Sequence, residues 1–113
     1  MNAQQVSNTI LNQLGGNRFV AMTDAKNFLY ADVTEHNDKI WLRMDLGRNK
    51  AKVNKLKIYY NAGQDTYTMH FYKQRVIKKT FDVQISNEQV FEGVHDEMLA
   101  SIFTEVTGMY LTI

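Results

Sequence analysis

The chain has 113 residues, of which 44% are hydrophobic and 22% are charged, and this composition is typical of one globular domain spanning residues 1–113. The absence of cysteine excludes disulfides, thiol catalysis and metal sites with thiolate ligands. The formal net charge is only +1, but ten basic residues and two acids lie between Arg43 and Lys79, whereas six acids and no lysine or arginine lie between Asp82 and Ile113.

The first predicted element is a helix. Apolar residues recur at helical spacing over residues 2–14, and Asn2 and Gln5 have the spacing of a capping box at its start. The two glycines that follow predict the end of this helix. Residues 19–22 are interpreted as a short strand.

Alternation of apolar and polar residues predicts the sheet. The strands are expected over residues 28–33, 39–45, 55–60, 66–73 and 77–85. Short polar segments between them have the composition of turns, so consecutive strands are expected to form hairpins.

A second helix is expected near the end of the chain. Ser86 and Gln89 have the spacing of a capping box, and apolar residues follow at three-residue and four-residue steps as far as Val106. Gly108 is placed to end this helix. Short loops and the absence of proline favour an α+β fold, an antiparallel β-meander of four to five strands flanked by an N-terminal and a C-terminal helix packed on one face.

The predicted meander brings basic and aromatic residues together on the face that the helices leave uncovered. The candidate nucleic-acid-binding residues are Lys55, Lys57, Tyr59, His70, Tyr72 and Lys78. Cations beside stackable rings are what a sheet needs to bind RNA or a single strand. The alternative interpretation is that the lysines prevent exposed strands from pairing with other molecules, while the tyrosines pack against each other across strands.

The acidic end of the chain favours a second function, a protein-interaction module that binds or inhibits a host factor. The predicted acidic helix or an exposed edge strand would form its surface. Solvation explains a charged helix face equally well, and Glu88 and Glu92 near the helix start are favoured by the helix dipole. A homodimer that covers the basic sheet face is a further alternative.

No motif in the sequence indicates catalysis: a Walker-type glycine loop, a nucleophile elbow and a dinucleotide fingerprint are all missing. Glu92 and His95 have the Glu-x-x-His spacing of carboxylate-bridged metal sites, but such sites need further carboxylates from other helices. His36, His70 and His95 show no ligand spacing and are interpreted as surface residues. We therefore expect a non-catalytic protein without a cofactor or a bound metal.

No sequence feature indicates contact with a membrane. The first residues carry no basic segment followed by an apolar one, and no apolar run approaches the roughly 20 residues of a membrane span. A cytoplasmic protein is therefore expected.

Three segments of the chain carry a resemblance to known sequences: residues 8–28, which include NTILNQLGGNRFVAMT and AKNF, residues 49–54, NKAKVN, and residues 102–110, IFTEVTGMY. They resemble a family of small bacteriophage and mobile-element proteins of unknown function. The family often has glycine where this chain has Asp24. The resemblance implies a phage or mobile-element origin and the cytoplasm of a bacterial host, and it implies no functional residues.

Overall fold

The architecture is a five-stranded antiparallel sheet with helices on one side. The computed structural model describes residues 2–109. The strands are β1 (Lys26–Ala31), β2 (Ile40–Asp45), β3 (Lys55–Asn61), β4 (Thr66–Val76) and β5 (Val83–Val94), and the helices are α1 (Ala3–Leu14), α2 (Asn17–Thr23) and α3 (Leu99–Thr107), the last preceded by a 3₁₀ turn at Asp96–Met98. Consecutive strands are neighbours in the sheet, in the order β1-β2-β3-β4-β5. The predicted α+β meander is confirmed.

Helix α1 forms as its sequence predicts. The Asn2 side chain accepts a hydrogen bond from the backbone N–H of Gln5, and the Gln5 side chain accepts one from the backbone N–H of Asn2. Gly15 ends the helix with a φ of 127°, in the range that favours glycine. Val6 and Ile10 are buried on the apolar stripe, so this helix is held by one packed face.

One hydrophobic core lies between the sheet and the helices. The strands contribute alternate residues to it, because successive side chains of a strand point to opposite faces. The buried strand residues include Leu42, Met44, Leu56, Ile58, Met69 and Phe71. Phe103 of α3 packs edge-on against Phe19 of α2, with ring centroids 5.0 Å apart, and its centroid lies 6.2 Å from that of Phe71. Through these three rings, α2 and α3 pack against each other and against β4.

The segment after α1 is a helix, so the prediction of a strand over residues 19–22 is wrong. Phe19 and Thr23 are both buried, and a four-residue step places two side chains on one face of a helix. The Thr23 hydroxyl donates a hydrogen bond to the Phe19 carbonyl over 2.7 Å, and Asp24 ends the helix in a left-handed conformation with a φ of 55°. A four-residue apolar run is too short for its periodicity to separate a strand from a helix.

The prediction that a helix starts after residue 86 is wrong, because β5 extends to Val94. Phe91 pairs with Met69 and Val94 pairs with Tyr67, so a three-residue step along β5 matches a two-residue step along β4. The extra residue forms a β-bulge, at which Gly93 has a φ of 64°. A bulged strand therefore places apolar residues three apart on one face, and this spacing resembles that of a helix.

A second bulge lies at the predicted capping box. Ser86 pairs with Lys73 and Gln89 pairs with Phe71, again three residues against two. Asn87, between the paired residues of β5, has a left-handed φ of 54°. The three-residue spacing of Ser86 and Gln89 thus reflects a bulge and not the first turn of a helix.

The C-terminal helix is shorter and less acidic than predicted. It begins at Leu99, and Gly108 ends it as predicted, with a φ of 75°. The acids lie on several elements: Asp82 precedes β5, Glu88 and Glu92 lie on β5, Asp96 and Glu97 lie in the 3₁₀ turn, and Glu105 lies on α3. The prediction of one acidic helix is therefore wrong. Among the helices of residues 2–109, none combines the length and the hydropathy that a membrane span requires.

Strands β4 and β5 extend beyond the rest of the sheet as a two-stranded ribbon, which we call the arm and define as residues 73–86. β3 pairs with β4 only as far as Tyr72, whereas β4 and β5 pair with each other as far as Val76 and Val83. The residues between these two form a turn, so the last strand begins at Val83 and not at residue 77 as predicted. Most of the arm is exposed.

Candidate functional site

The sheet face opposite the helices, here called the outer face, carries a mixture of rings and charges. Strand register places Trp41 opposite Tyr59 and Arg43 opposite Lys57. The next strand places His70 opposite Lys57. The outer face as defined here consists of Trp41, Arg43, Lys55, Lys57, Tyr59, His70 and Tyr72. It holds five of the six candidate residues identified from the sequence.

Lys57 lies between two aromatic rings at the centre of the outer face. Its Nζ atom is 4.4 Å from the centroid of the Trp41 ring and 4.9 Å from that of the Tyr59 ring. The guanidinium carbon of Arg43 is 6.0 Å from the Trp41 centroid. Each such contact between a cation and a ring stabilises the cluster by about 0.5–1 kcal/mol at a partly exposed site. Trp41 and Tyr59 are both half-buried, so part of each side chain stays accessible to a ligand.

Sequence reasoning missed Trp41 and Arg43. Their alternation with the buried residues of β2 already indicated that both point to the outer face. Their contact with Lys57 depends on the register of β2 against β3, which alternation does not specify. A strand pattern identifies the face of a residue but not its neighbours on the adjacent strand.

Lys55 is paired with an acid, whereas Lys57 is not. The Lys55 ammonium forms an ion pair with the Asp45 carboxylate, which also accepts a hydrogen bond from the Asn27 side chain over 2.7 Å. Burial raises the pKa of Asp45, but the bonds from Asn27 and Lys55 outweigh this effect, so the pKa lies below its ordinary value. No carboxylate in residues 2–109 lies within 4.0 Å of Lys57 Nζ. Lys57 therefore offers the less neutralised charge to a ligand.

Replacing Asp45 with asparagine is expected to lower the free energy of unfolding at neutral pH by at most about 1 kcal/mol, because the ion pair is partly exposed. A carboxyl with a lowered folded-state pKa stabilises the fold above its unfolded-state pKa of about 3.9, and this stabilisation is lost as the pH falls through the folded-state value. The difference between the wild type and Asp45→Asn should therefore vanish in acid. Urea unfolding at neutral and acidic pH measures it, and a difference independent of pH would contradict the assigned pair.

His70 and Tyr72 are enclosed by their neighbours. Their ring centroids lie 4.7 Å apart, and Tyr72 is only 5% exposed. Burial raises the pKa of Tyr72, and the charge and hydrogen bonding of Arg43 oppose this effect without cancelling it. Among the described residues, His70 Nε2 is buried without a hydrogen-bond partner and lies 3.4 Å from the Glu88 carboxylate. Tyr72 thus leaves little ring surface for a ligand.

Lys78 lies apart from the other candidate residues. It belongs to the turn at the tip of the arm, beyond the last paired residues of β4 and β5. The structure therefore brings Lys78 into the arm and not onto the outer face.

A shallow depression of about 300 Å³ lies beside one ring of the outer face. It is lined by Asp38, Lys39, Tyr59, Thr68 and Glu92. Its ammonium and hydroxyl groups can donate hydrogen bonds, and its two carboxylates can accept them. This combination suits the edge of a nucleobase, which carries both donors and acceptors.

The remaining candidate metal ligands do not converge. Glu92 lies on β5 and His95 follows that strand, so the two residues lack the helical geometry that the Glu-x-x-His spacing predicts. His36 is exposed in the loop between β1 and β2. Over the part of the chain that the structure describes, no three His, Asp or Glu side chains form a group that could hold a metal ion.

Comparisons with protein-family models, with curated proteins and with solved structures found no match. Function is therefore inferred from the chemistry of the outer face. Trp41 and Tyr59 can stack with planar groups, and Lys57 can bind an anion next to them.

Proposed function

We propose that this chain is a non-catalytic module that binds single-stranded nucleic acid through the outer face. The observation that supports the proposal most is the position of Lys57 between the rings of Trp41 and Tyr59, on a face that the helices leave open. Proteins bind single strands by stacking bases on aromatic side chains and contacting the phosphates with cations. Both kinds of group occur here within one strand pair, β2 and β3.

The residues of the outer face have different roles in this proposal. Bases stack on Trp41 and Tyr59, while Lys57 and Arg43 contact the phosphates that join them. Lys55 contributes less, because its charge is partly neutralised by an ion pair. A base next to Tyr59 reaches the polar depression, where its amino group meets a carboxylate.

A protein-interaction module that binds or inhibits a host factor is the alternative function. β5 forms one edge of the sheet, and Val83, Ile85 and Val90 along it are each about half exposed. An exposed edge strand can pair with a strand of a partner. The bulges at Asn87 and Gly93 interrupt this edge, and bulges are a feature that protects edge strands from pairing. The outer face is therefore the better supported surface.

Binding to single-stranded DNA or RNA is expected to weaken with salt, and the Lys55→Ala, Lys57→Ala double variant should show a flatter salt dependence. For a single strand, the slope of log affinity against log salt concentration becomes more negative by about 0.7 for each phosphate that a protein cation neutralises. Removing one such cation makes the slope less negative by the same amount. Because Lys55 is paired with Asp45, most of the change should appear in Lys57→Ala alone. Fluorescence-anisotropy titrations with single-stranded and duplex oligonucleotides at two salt concentrations measure these slopes.

Arg18→Ala is the matched control, because it removes an exposed positive charge from α2, on the opposite side of the sheet. Its affinity and salt slope should equal those of the wild type. Unchanged affinity in the double variant, or no binding at low salt, would contradict the proposal and favour a protein partner. A stable homodimer that buries Tyr59 would contradict it as well.

A further inference from the structure

The arm carries positive charge that no acid neutralises. Its exposed basic side chains are those of Lys73, Arg75, Lys78 and Lys79. Within residues 2–109, no carboxylate lies within 4.0 Å of any of these charged groups, and Asp82 is the single acid of the arm. Unpaired cations along one ribbon attract phosphates.

Phe81, at the tip of the arm, has a backbone conformation that its side chain disfavours. Its φ is 59°, in the left-handed region that glycine and asparagine adopt readily and bulky residues rarely do. The Phe81 N–H donates to the Ile77 carbonyl over 2.7 Å, and the Ile77 N–H donates to the Asp82 carbonyl over 2.9 Å, so the turn is held by its backbone. Phe81 is 80% exposed, and little packing offsets the strain. Strained residues of this kind are found more often at binding and active sites than elsewhere in proteins.

We propose that the arm enters a groove of double-stranded nucleic acid, with Phe81 as a wedge that stacks against a base. This inference rests on the proposed function and specifies its substrate class, a junction at which a single strand on the outer face continues into a duplex. The major groove of a duplex admits a two-stranded β-ribbon, and groove-binding proteins often insert apolar wedges between base steps. Lys78 and Lys79 lie beside the wedge, within reach of the flanking phosphates.

The arm is continuous with the outer face. Val76 of the arm lies an even number of residues from the outer-face residues of β4 and so points to the same side, which a bound strand reaches without crossing the helices, whereas Lys73 and Arg75 point to the other side. One face of the arm is apolar, because Val76 pairs with Val83, and Ile85 lies on the same side of β5. Apolar side chains in a groove contact thymine methyl groups and exclude water.

The distribution of the cations favours a nucleic acid over an anionic lipid surface. A lipid surface would meet only the tip of a protruding ribbon, where Lys78, Lys79 and Phe81 lie. Lys73 and Arg75 lie farther back, near the sheet. A duplex groove encloses the ribbon between two phosphate backbones, which the long side chains of cations on either side of the ribbon can reach.

Phe81→Gly and Phe81→Tyr are the variants that test the inference. Glycine removes the ring and relieves the strain, whereas tyrosine keeps a ring in the same conformation. Four probes are titrated: a single-stranded oligonucleotide, the same strand continued into a duplex, the duplex alone, and vesicles of phosphatidylcholine and phosphatidylserine. The wild type should bind the junction more tightly than the single strand, and Phe81→Gly should weaken junction binding by about tenfold, the loss of one stacked base. Phe81→Tyr should keep the wild-type affinity, and urea unfolding should show no loss of stability in Phe81→Gly.

The outcomes separate the arm from the outer face. Junction binding no tighter than single-strand binding, or insensitive to Phe81→Gly, would overturn the role of the arm, even if single-strand binding confirms the outer face. Vesicle binding that depends on Phe81 while junction binding does not would overturn it in favour of a lipid surface. Duplex binding that depends on Phe81, without single-strand binding, would support the arm and contradict the proposed function.

Discussion

Replacing Phe103 with alanine is expected to lower the free energy of unfolding by about 4 kcal/mol. Phe103 is fully buried and contacts Phe19 of α2 and Phe71 of β4. Its removal forfeits the transfer free energy of the ring and leaves a cavity that rigid neighbours cannot close. Domains of this size have a total stability of about 5–15 kcal/mol, so the decrease is a large fraction of the whole. Urea unfolding followed by far-ultraviolet circular dichroism measures it.

Phe81→Ala is the matched control, since it makes the same chemical change at a residue that is 80% exposed. Its stability should stay within about 0.5 kcal/mol of the wild type. An equally small effect for Phe103→Ala would mean that α3 does not pack on the sheet as described. The side of the sheet that faces the helices would then not form the core.

Replacing Trp41 with alanine is expected to weaken binding to a single-stranded oligonucleotide by about tenfold or more, because base stacking on one aromatic residue contributes about 1–3 kcal/mol. The weaker binding has a second cause: the Trp41 ring contacts Lys57 and Arg43, whose charged groups become less ordered without it. Anisotropy titration measures the affinity, and urea unfolding verifies that the variant remains folded.

Two variants distinguish the loss of base stacking from the loss of any aromatic side chain on the protein surface. Trp41→Phe keeps a ring and should recover most of the affinity, whereas Tyr30→Ala removes an exposed aromatic side chain from β1 and should have no effect. Trp41 is the one tryptophan of the chain, so quenching of its intrinsic emission reports a stacked base directly. Binding without quenching, and with Trp41→Ala affinity equal to that of the wild type, would exclude the outer face as the stacking surface.

Elements with strong local signals were predictable from the sequence. The capping box of Asn2 and Gln5 and the stop at Gly15 define α1, because each depends on residues within one turn. Regular alternation predicted β2, β3 and β4, because residues two apart share a strand face. Two elements were predicted wrongly. In α2 a four-residue apolar run was too short to separate a helix from a strand, and in β5 the bulges at Asn87 and Gly93 convert a two-residue step into a three-residue step.

The candidate site was predictable in part. Alternation placed Lys57 and Tyr59 on one face, and both lie on the outer face of the sheet. It could not identify Trp41 as the partner of Lys57, since that contact depends on the register between two strands. Nor could it predict the enclosure of Tyr72, which results from neighbours on adjacent strands. Lys78 fell outside the site because its predicted strand is a turn.

Periodicity and composition were sufficient to establish an α+β meander with one apolar face and one basic, aromatic face, since both properties depend on residues close together in the chain. The tertiary structure alone decided which cation meets which ring, where β5 bulges, and that the arm extends beyond the sheet. Each of these depends on pairing between segments distant in sequence. At Ser86 the pairing of β5 with β4 outweighs the local preference of a capping box, although β5 is largely exposed there.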